Sequence, residues 1–243
     1  MNDTRRINGL VSAMILAAVV ASAYAVSASH MLHAYFALAV LTLAAATSRM
    51  KVKLPGVNGN MSVNLPFLLT AIVNLSAAEA IVIAGLSTAI QCWPRKNAKL
   101  NRQQMAFNLS MMTFASCMAS LIYHAEWLNQ MQWNSTTPGL VLATATLFLG
   151  QTVPVASIIA LSEKKTGAAV WWNLAQLSFP YYVVSAGVTS MLETVGSHLG
   201  WGLALAVFPV MYGIHRSYKL YFGAREAEVP QMQVLVRAAG AGA

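Results

Sequence analysis

A single aspartate, Asp3, lies near the start of this 243-residue chain. No Asp-containing triad and no paired-Asp site can therefore form along the rest of it. GxSxG, HExxH and a phosphate-binding glycine loop are also missing. Acid–base chemistry would fall to Glu79, Glu126, Glu193, the histidines and isolated serines, so the sequence points away from an enzyme. The two cysteines, Cys92 and Cys117, lack CxxC or metal-type spacing and sit in apolar stretches. They read as small buried hydrophobes and do not report a redox compartment. Charge of either sign is scarce: 9% of residues, against about a quarter in soluble domains. So few charges cannot solvate a globular surface, and with 57% hydrophobic residues the chain reads as an integral membrane protein.

Apolar runs of about 17–25 residues mark bilayer-crossing helices. Such runs fall at Gly9–Ala28, His33–Ser48, Met61–Ala77, Ala78–Trp93, Gln104–His124, Gly139–Leu161, Val170–Leu192 and Leu199–Ile214. The expected fold class is all-α, a polytopic bundle of about eight transmembrane helices whose third and fourth members are short and closely joined. A single transmembrane domain would cover residues 1–222, followed by a flexible tail over 223–243.

The net charge of +8 is distributed by topology. All 15 Lys and Arg residues fall between spans on one side of the eight-helix arrangement. Positive residues are retained in the cytoplasm during insertion, so both termini are expected there, in an inner-membrane, multi-pass protein. The charge is no nucleic-acid footprint; the bilayer, with its anionic head groups, is the expected partner. Residues 1–28 also fit a signal peptide, with Arg5 and Arg6 before an apolar core and Ala-x-Ala at 21–23 and 23–25. Cleavage would leave seven helices; an uncleaved first helix is the preferred reading.

The uncharged polar residues within the spans carry the functional question. They are Asn64 and Asn74 in the third span, Gln91 in the fourth, Gln104 and Asn108 in the fifth, Gln151 in the sixth, and Asn173, Gln176, Tyr181 and Tyr182 in the seventh. Amides are costly when unpaired in hydrocarbon, so all are expected to face the bundle interior. Two readings stay open: a polar cavity for a small ligand, and plain interhelical hydrogen bonding. Gln104 and Asn108 share a helix face at i, i+4. Pro180 removes a donor and frees the carbonyl of Gln176, and Pro154 and Pro209 repeat the feature. Pro66 falls in a first turn, where proline is tolerated. Glu79 is expected at the external turn between the third and fourth helices, an allowed place for a carboxylate.

At the opposite ends from the basic residues fall His30, His33, His124 and His198, with Glu79, Glu126 and Glu193. These are ligand types for a first-row metal or a pH switch. They are equally the polar residues that accumulate wherever lysine is excluded. The tryptophans cluster near helix ends as an interfacial belt. Nothing in the residues identifies a cofactor.

Four stretches, "SVNLPFLLTAIVNLSAAEAIVIAGLSTAIQ", "QQMAFNLSMMTFASCMASLIYH", "WWNLAQLSFPYYVVSAGVTSML" and "FPVMYGIHRSYKLYF", together resemble the MASE-type membrane sensor modules of bacteria. Those modules lie N-terminal to GGDEF diguanylate cyclase and HD-GYP phosphodiesterase domains. The resemblance runs from about residue 60 to 222, with Phe107–Asn108 and the exit helix "HRSYKLYF" its most specific parts. It implies a sensory module, a cytoplasmic or membrane-protein partner reached through the last helix, and no catalytic residue here. No GGDEF or HD sequence follows Phe222. The alternative reading is a small-solute transporter, or a compact substrate-binding subunit like the S-components of vitamin transporters.

Overall fold

Capping residues and prolines, more than periodicity, set the element boundaries in this apolar chain. The computed structural model describes residues 2–29, 33–53, 60–94, 100–130 and 137–199, with positions 209, 210, 212, 213, 216, 217 and 220. The elements are α1 (Asn2–Ala28), α2 (Ala34–Ser48), the strands β1 (Lys51–Lys53) and β2 (Asn60–Ser62), α3 (Leu65–Asn74), α4 (Ala77–Cys92), α5 (Arg102–Tyr123), α6 (Glu126–Gln130), α7 (Thr137–Glu163) and α8 (Gly167–Leu199). The fold is all-helical apart from β1 and β2, an antiparallel ribbon pairing Lys51 with Ser62 and Lys53 with Asn60.

Among the described residues, three helices are long and apolar enough to cross a membrane: Arg5–Ala28, Arg102–Leu128 and Thr137–Glu163. Two of them turn apolar side chains outward as a lipid-facing helix does, including Leu16, Val19 and Val20 on α1 and Val141, Leu149 and Val153 on α7. Hydroxyls along α7 are folded back onto its own backbone. Thr144, Thr146 and Thr152 each donate to the carbonyl four residues earlier, which satisfies a polar group without a partner helix.

The expected third span is shorter than its apolar run. Pro66 lies in the first turn of α3 and Leu75 is extended, so only ten residues are helical. At 1.5 Å per residue α3 reaches about 15 Å, roughly half a hydrocarbon core. Ser76 then starts α4 with a capping box: its hydroxyl accepts the N–H of Glu79, while the Glu79 carboxylate accepts the N–H of Ser76. Asn101 caps α5 by accepting the N–H of Gln104 at 3.1 Å.

α3 is the centre of the bundle, touched by α2, α4, α5, α7 and α8, with α1 packed outside on α5. Every residue from Leu65 to Ile72 is buried. A helix apolar on all sides must be enclosed on all sides, and Leu68, Leu69 and Ile72 anchor the core accordingly. α5 and α7 approach closely through Gly150, where an added Cβ would lie 2.8 Å from the Ala115 Cβ. Small residues also join α1 to α4 and α5, with Ala21, Ala25, Ile81 and Cys117 forming a separate cluster. This is the packing mode expected of helices in lipid.

Candidate functional site

An enclosed helix creates a polar problem at each end, because its first N–H and last C=O groups have no intrahelical partners. At the start of α3 the problem is solved by three devices. Pro66 has no N–H to satisfy. Phe67 and Leu68 both donate to the Asn64 carbonyl. The N–H of Leu65 donates to the hydroxyl of Tyr181 at 3.2 Å. Asn64 is itself buried, and its amide donates to Ser87 Oγ on α4 at 3.4 Å.

The far end of α3 is tied to α5 and α8. The Asn74 amide donates to the Thr70 carbonyl and, at 2.5 Å, to Glu193 Oε1. The ring Nε2 of His124, the C-cap of α5, lies 3.0 Å from the Ile72 carbonyl. Glu193 stands one residue past the apolar run Val170–Leu192. Burial pushes its carboxyl above the ordinary carboxylate range, opposed by the hydrogen bond from Asn74.

One face of α8 supplies most of these contacts. Tyr181, Ser185, Thr189 and Glu193 follow at four-residue intervals and so form one row along the helix. Thr189 donates to the Pro66 carbonyl at 3.2 Å and to the Ser185 carbonyl at 2.9 Å. Ser185 lies between Tyr181 and Thr189, wholly buried, and its Oγ has no hydrogen-bond partner. Since Leu65 contacts Tyr181 and Asn74 contacts Glu193, α3 runs parallel to α8 and begins about 21 Å along it. Sequence reading picked out Tyr181 and Glu193 separately and missed Ser185 and Thr189. The repeating four-residue polar interval in an apolar helix was the available signal.

The expected interior residues divide into three groups. Asn64, Asn74, Asn108, Gln151, Tyr181 and Tyr182 pair with other protein groups. The Tyr182 hydroxyl donates to Gln151 Oε1 at 2.7 Å, and the Asn108 amide reaches Cys92 Sγ at 3.5 Å. Gln151 keeps a buried Nε2 without a partner. Gln91 is half-buried near the end of α4. Gln104, Asn173 and Gln176 are exposed, contrary to the expectation that they face inward. The reason for the last two is angular: Val170, Leu174, Ala175, Ser178, Tyr181 and Tyr182 occupy the inner face of α8, and 100° per residue turns 173 and 176 away.

Glu79 departs from expectation only in its burial. It lies at the junction of α3 and α4 as expected but is buried there, 8% exposed, because it closes the α4 capping box and accepts the His33 backbone N–H at 2.6 Å. The His and Glu residues at this end are dispersed among separate contacts. The side chains of His33, His124 and His198 are exposed, and His30 lies outside the described residues. Among the described residues no three of His, Cys, Asp and Glu gather as a metal site.

No family model, curated protein or solved structure matches the chain.

Proposed function

We propose that this is a multi-pass inner-membrane sensory module. It reads a small ligand or the state of the bilayer and relays it through its last helix to a cytoplasmic partner. In this reading eight segments insert in the membrane with all basic loops and both termini cytoplasmic, the α3 segment entering only part-way. The observation that supports it is the attachment of α3: a fully enclosed helix fastened at both ends by single polar contacts, to Tyr181, Thr189 and Glu193 on α8 and to His124 on α5. Hydrogen bonds of this kind are each worth only about 1 kcal/mol net. A ligand or lipid that competes for them can bias α3 and α8 between positions, which is what a relay requires. The resemblance to MASE-type modules adds support from sequence.

The test combines native mass spectrometry of the purified chain, to detect a retained small molecule, with hydrogen exchange in thin and thick nanodiscs. Retained ligand, or altered exchange within residues 65–76 and 167–199, is expected. A chain that holds nothing and exchanges identically in both bilayers would sink the sensory reading.

Transport is the second reading, favoured by the start of α3 halfway along α8. Carriers commonly place discontinuous helices around a site at the membrane midplane. Uptake of labelled solute into proteoliposomes containing this chain alone distinguishes it from a sensor.

A further inference from the structure

The outward face of α8 differs from those of α1 and α7. It carries Trp172, Phe179 and Met191 toward its edges and Val183 nearer its middle. At 100° per residue Val183 shares the middle of the exposed arc with Gln176, Pro180, Gly187 and Thr194, and Asn173 lies alongside. Pro180 has no N–H, so the Gln176 backbone carbonyl loses its helical donor. One stretch of helix thus presents two side-chain amides and a freed carbonyl outward. Further along the same line, a Cβ built on Gly187 would meet nothing within 4 Å.

This stretch lies beside the middle of α7. Phe148 packs edge-on against both Phe179 and Tyr182, and Trp171 Nε1 donates to Thr152. If α7 crosses the bilayer, Gln176 and Gly187 sit at hydrocarbon depth, where lipid cannot hydrogen-bond an amide. A helix facing lipid alone would carry large apolar residues throughout the middle of this arc, as α1 does with Leu16 and Val20, whereas α8 places one, Val183, among two amides, a proline and a glycine.

We propose that this face is the interface of a symmetric homodimer in which α8 packs against α8 of a second copy. A primary amide both donates and accepts. Gln176 or Asn173 can therefore be satisfied by the same residue across a twofold axis, as an isologous contact requires. The sequence from Thr166 to Leu192 holds no charged residue, so nothing on the face repels its own copy or calls for a partner of opposite charge. Gly187 leaves room for the two backbones to approach, and polar side chains then join the helices. The inference depends on α8 lying in the membrane and not on the protein being a sensor, so the two can fail separately.

Cross-linking of the full chain in membranes tests it. In a background with Cys92→Ser and Cys117→Ala, single cysteines are placed at Gly187, Gln176, Leu149 and Val20 and oxidised with copper phenanthroline. Disulfide-linked dimer is expected at 187 and 176 at tenfold or more the yield at 149 and 20. Equal yields at all four positions, or no dimer at 187, would overturn the proposal. So would a cross-link within one chain between 187 and a cysteine placed beyond Leu199, or a ladder of higher species. A second measurement avoids reliance on cysteine variants. Single-molecule photobleaching of the labelled chain in nanodiscs should give mainly two-step traces, and the pair Asn173→Leu and Gln176→Leu should lower that fraction tenfold with thermal stability kept. One-step traces for the native chain, or two-step traces that persist in the double variant, count against it.

Discussion

The Tyr181 hydroxyl accepts the backbone N–H of Leu65 at 3.2 Å, so a side chain halfway along α8 terminates a helix buried in the bundle. Without it, that donor would face a core in which Leu65, Phe67 and Leu68 are each at most 3% exposed. Tyr181→Phe keeps the ring and its edge contact with Tyr182 while removing the acceptor. A buried unsatisfied N–H costs about 1–3 kcal/mol. Thermal unfolding in detergent should show that loss, with faster hydrogen exchange at Leu65; an unchanged Tm would mean that water replaces the hydroxyl.

Neighbours one turn apart in the same row should respond with opposite sign. Ser185 has a buried Oγ without a partner, whereas Thr189 donates to the Pro66 carbonyl. Ser185→Ala removes an uncompensated polar group and should raise stability by about 1 kcal/mol; Thr189→Val should lower it by about 1 kcal/mol. The unfolding midpoints of the two variants decide the matter, and a loss in both would show that Ser185 Oγ is solvated in the native state.

Gly150 is where α7 meets α5 most closely. Gly150→Ala would bring a methyl to 2.8 Å from the Ala115 Cβ and 3.3 Å from its Cα. Those are parts of a neighbouring helix that cannot swing aside. Overpacking of this kind costs about 1–3 kcal/mol. Gly9→Ala on α1, where an added Cβ meets nothing within 4 Å, serves as the control and should hold or gain up to about 1 kcal/mol from helix propensity.

Glu193 predicts a pH dependence. Its carboxyl titrates above the ordinary carboxylate range because burial disfavours the charged form, with Tyr123 on α5 and Asn74 on α3 facing it. The folded chain therefore binds more protons at this site than the unfolded chain does. Stability contributed by the site is complete below the ordinary carboxylate pKa and is lost as pH rises through the raised one. Comparing Tm from about pH 4 to pH 8 for the native chain and Glu193→Gln should show a fall in the former that the latter lacks. Parallel curves would assign the pH dependence to other groups.

Composition and apolar run length made the helical fold legible, with helices long and apolar enough to cross a membrane, since both follow from the dearth of charge. Helix ends were less so. Val63 and Asn64 belong to the apolar run but not to α3, because Pro66 and the Tyr181 contact fix where that helix starts. The length of the apolar run placed Glu79 at the junction of the third and fourth helices, but sequence does not show the His33 N–H that encloses its carboxylate. Asn173 and Gln176 were expected to face inward on the ground that amides avoid hydrocarbon. That rule says an amide needs a partner but not on which side of the helix the partner stands. The ribbon of β1 and β2 and the short α6 lie in segments that hydropathy does not distinguish from loops.

The enclosure of α3 also constrains how the protein can be made. Ten residues cannot span a bilayer, and no side of Leu65–Ile72 is left to face lipid or water once folded. The segment therefore cannot insert as an independent unit when it leaves the ribosome. Its final place exists only after α8, the last of its neighbours to be synthesised, presents Tyr181 and Thr189. Full enclosure of α3 thus waits for residues 167–199, and Leu65–Ile72 cannot be completely sheltered before them.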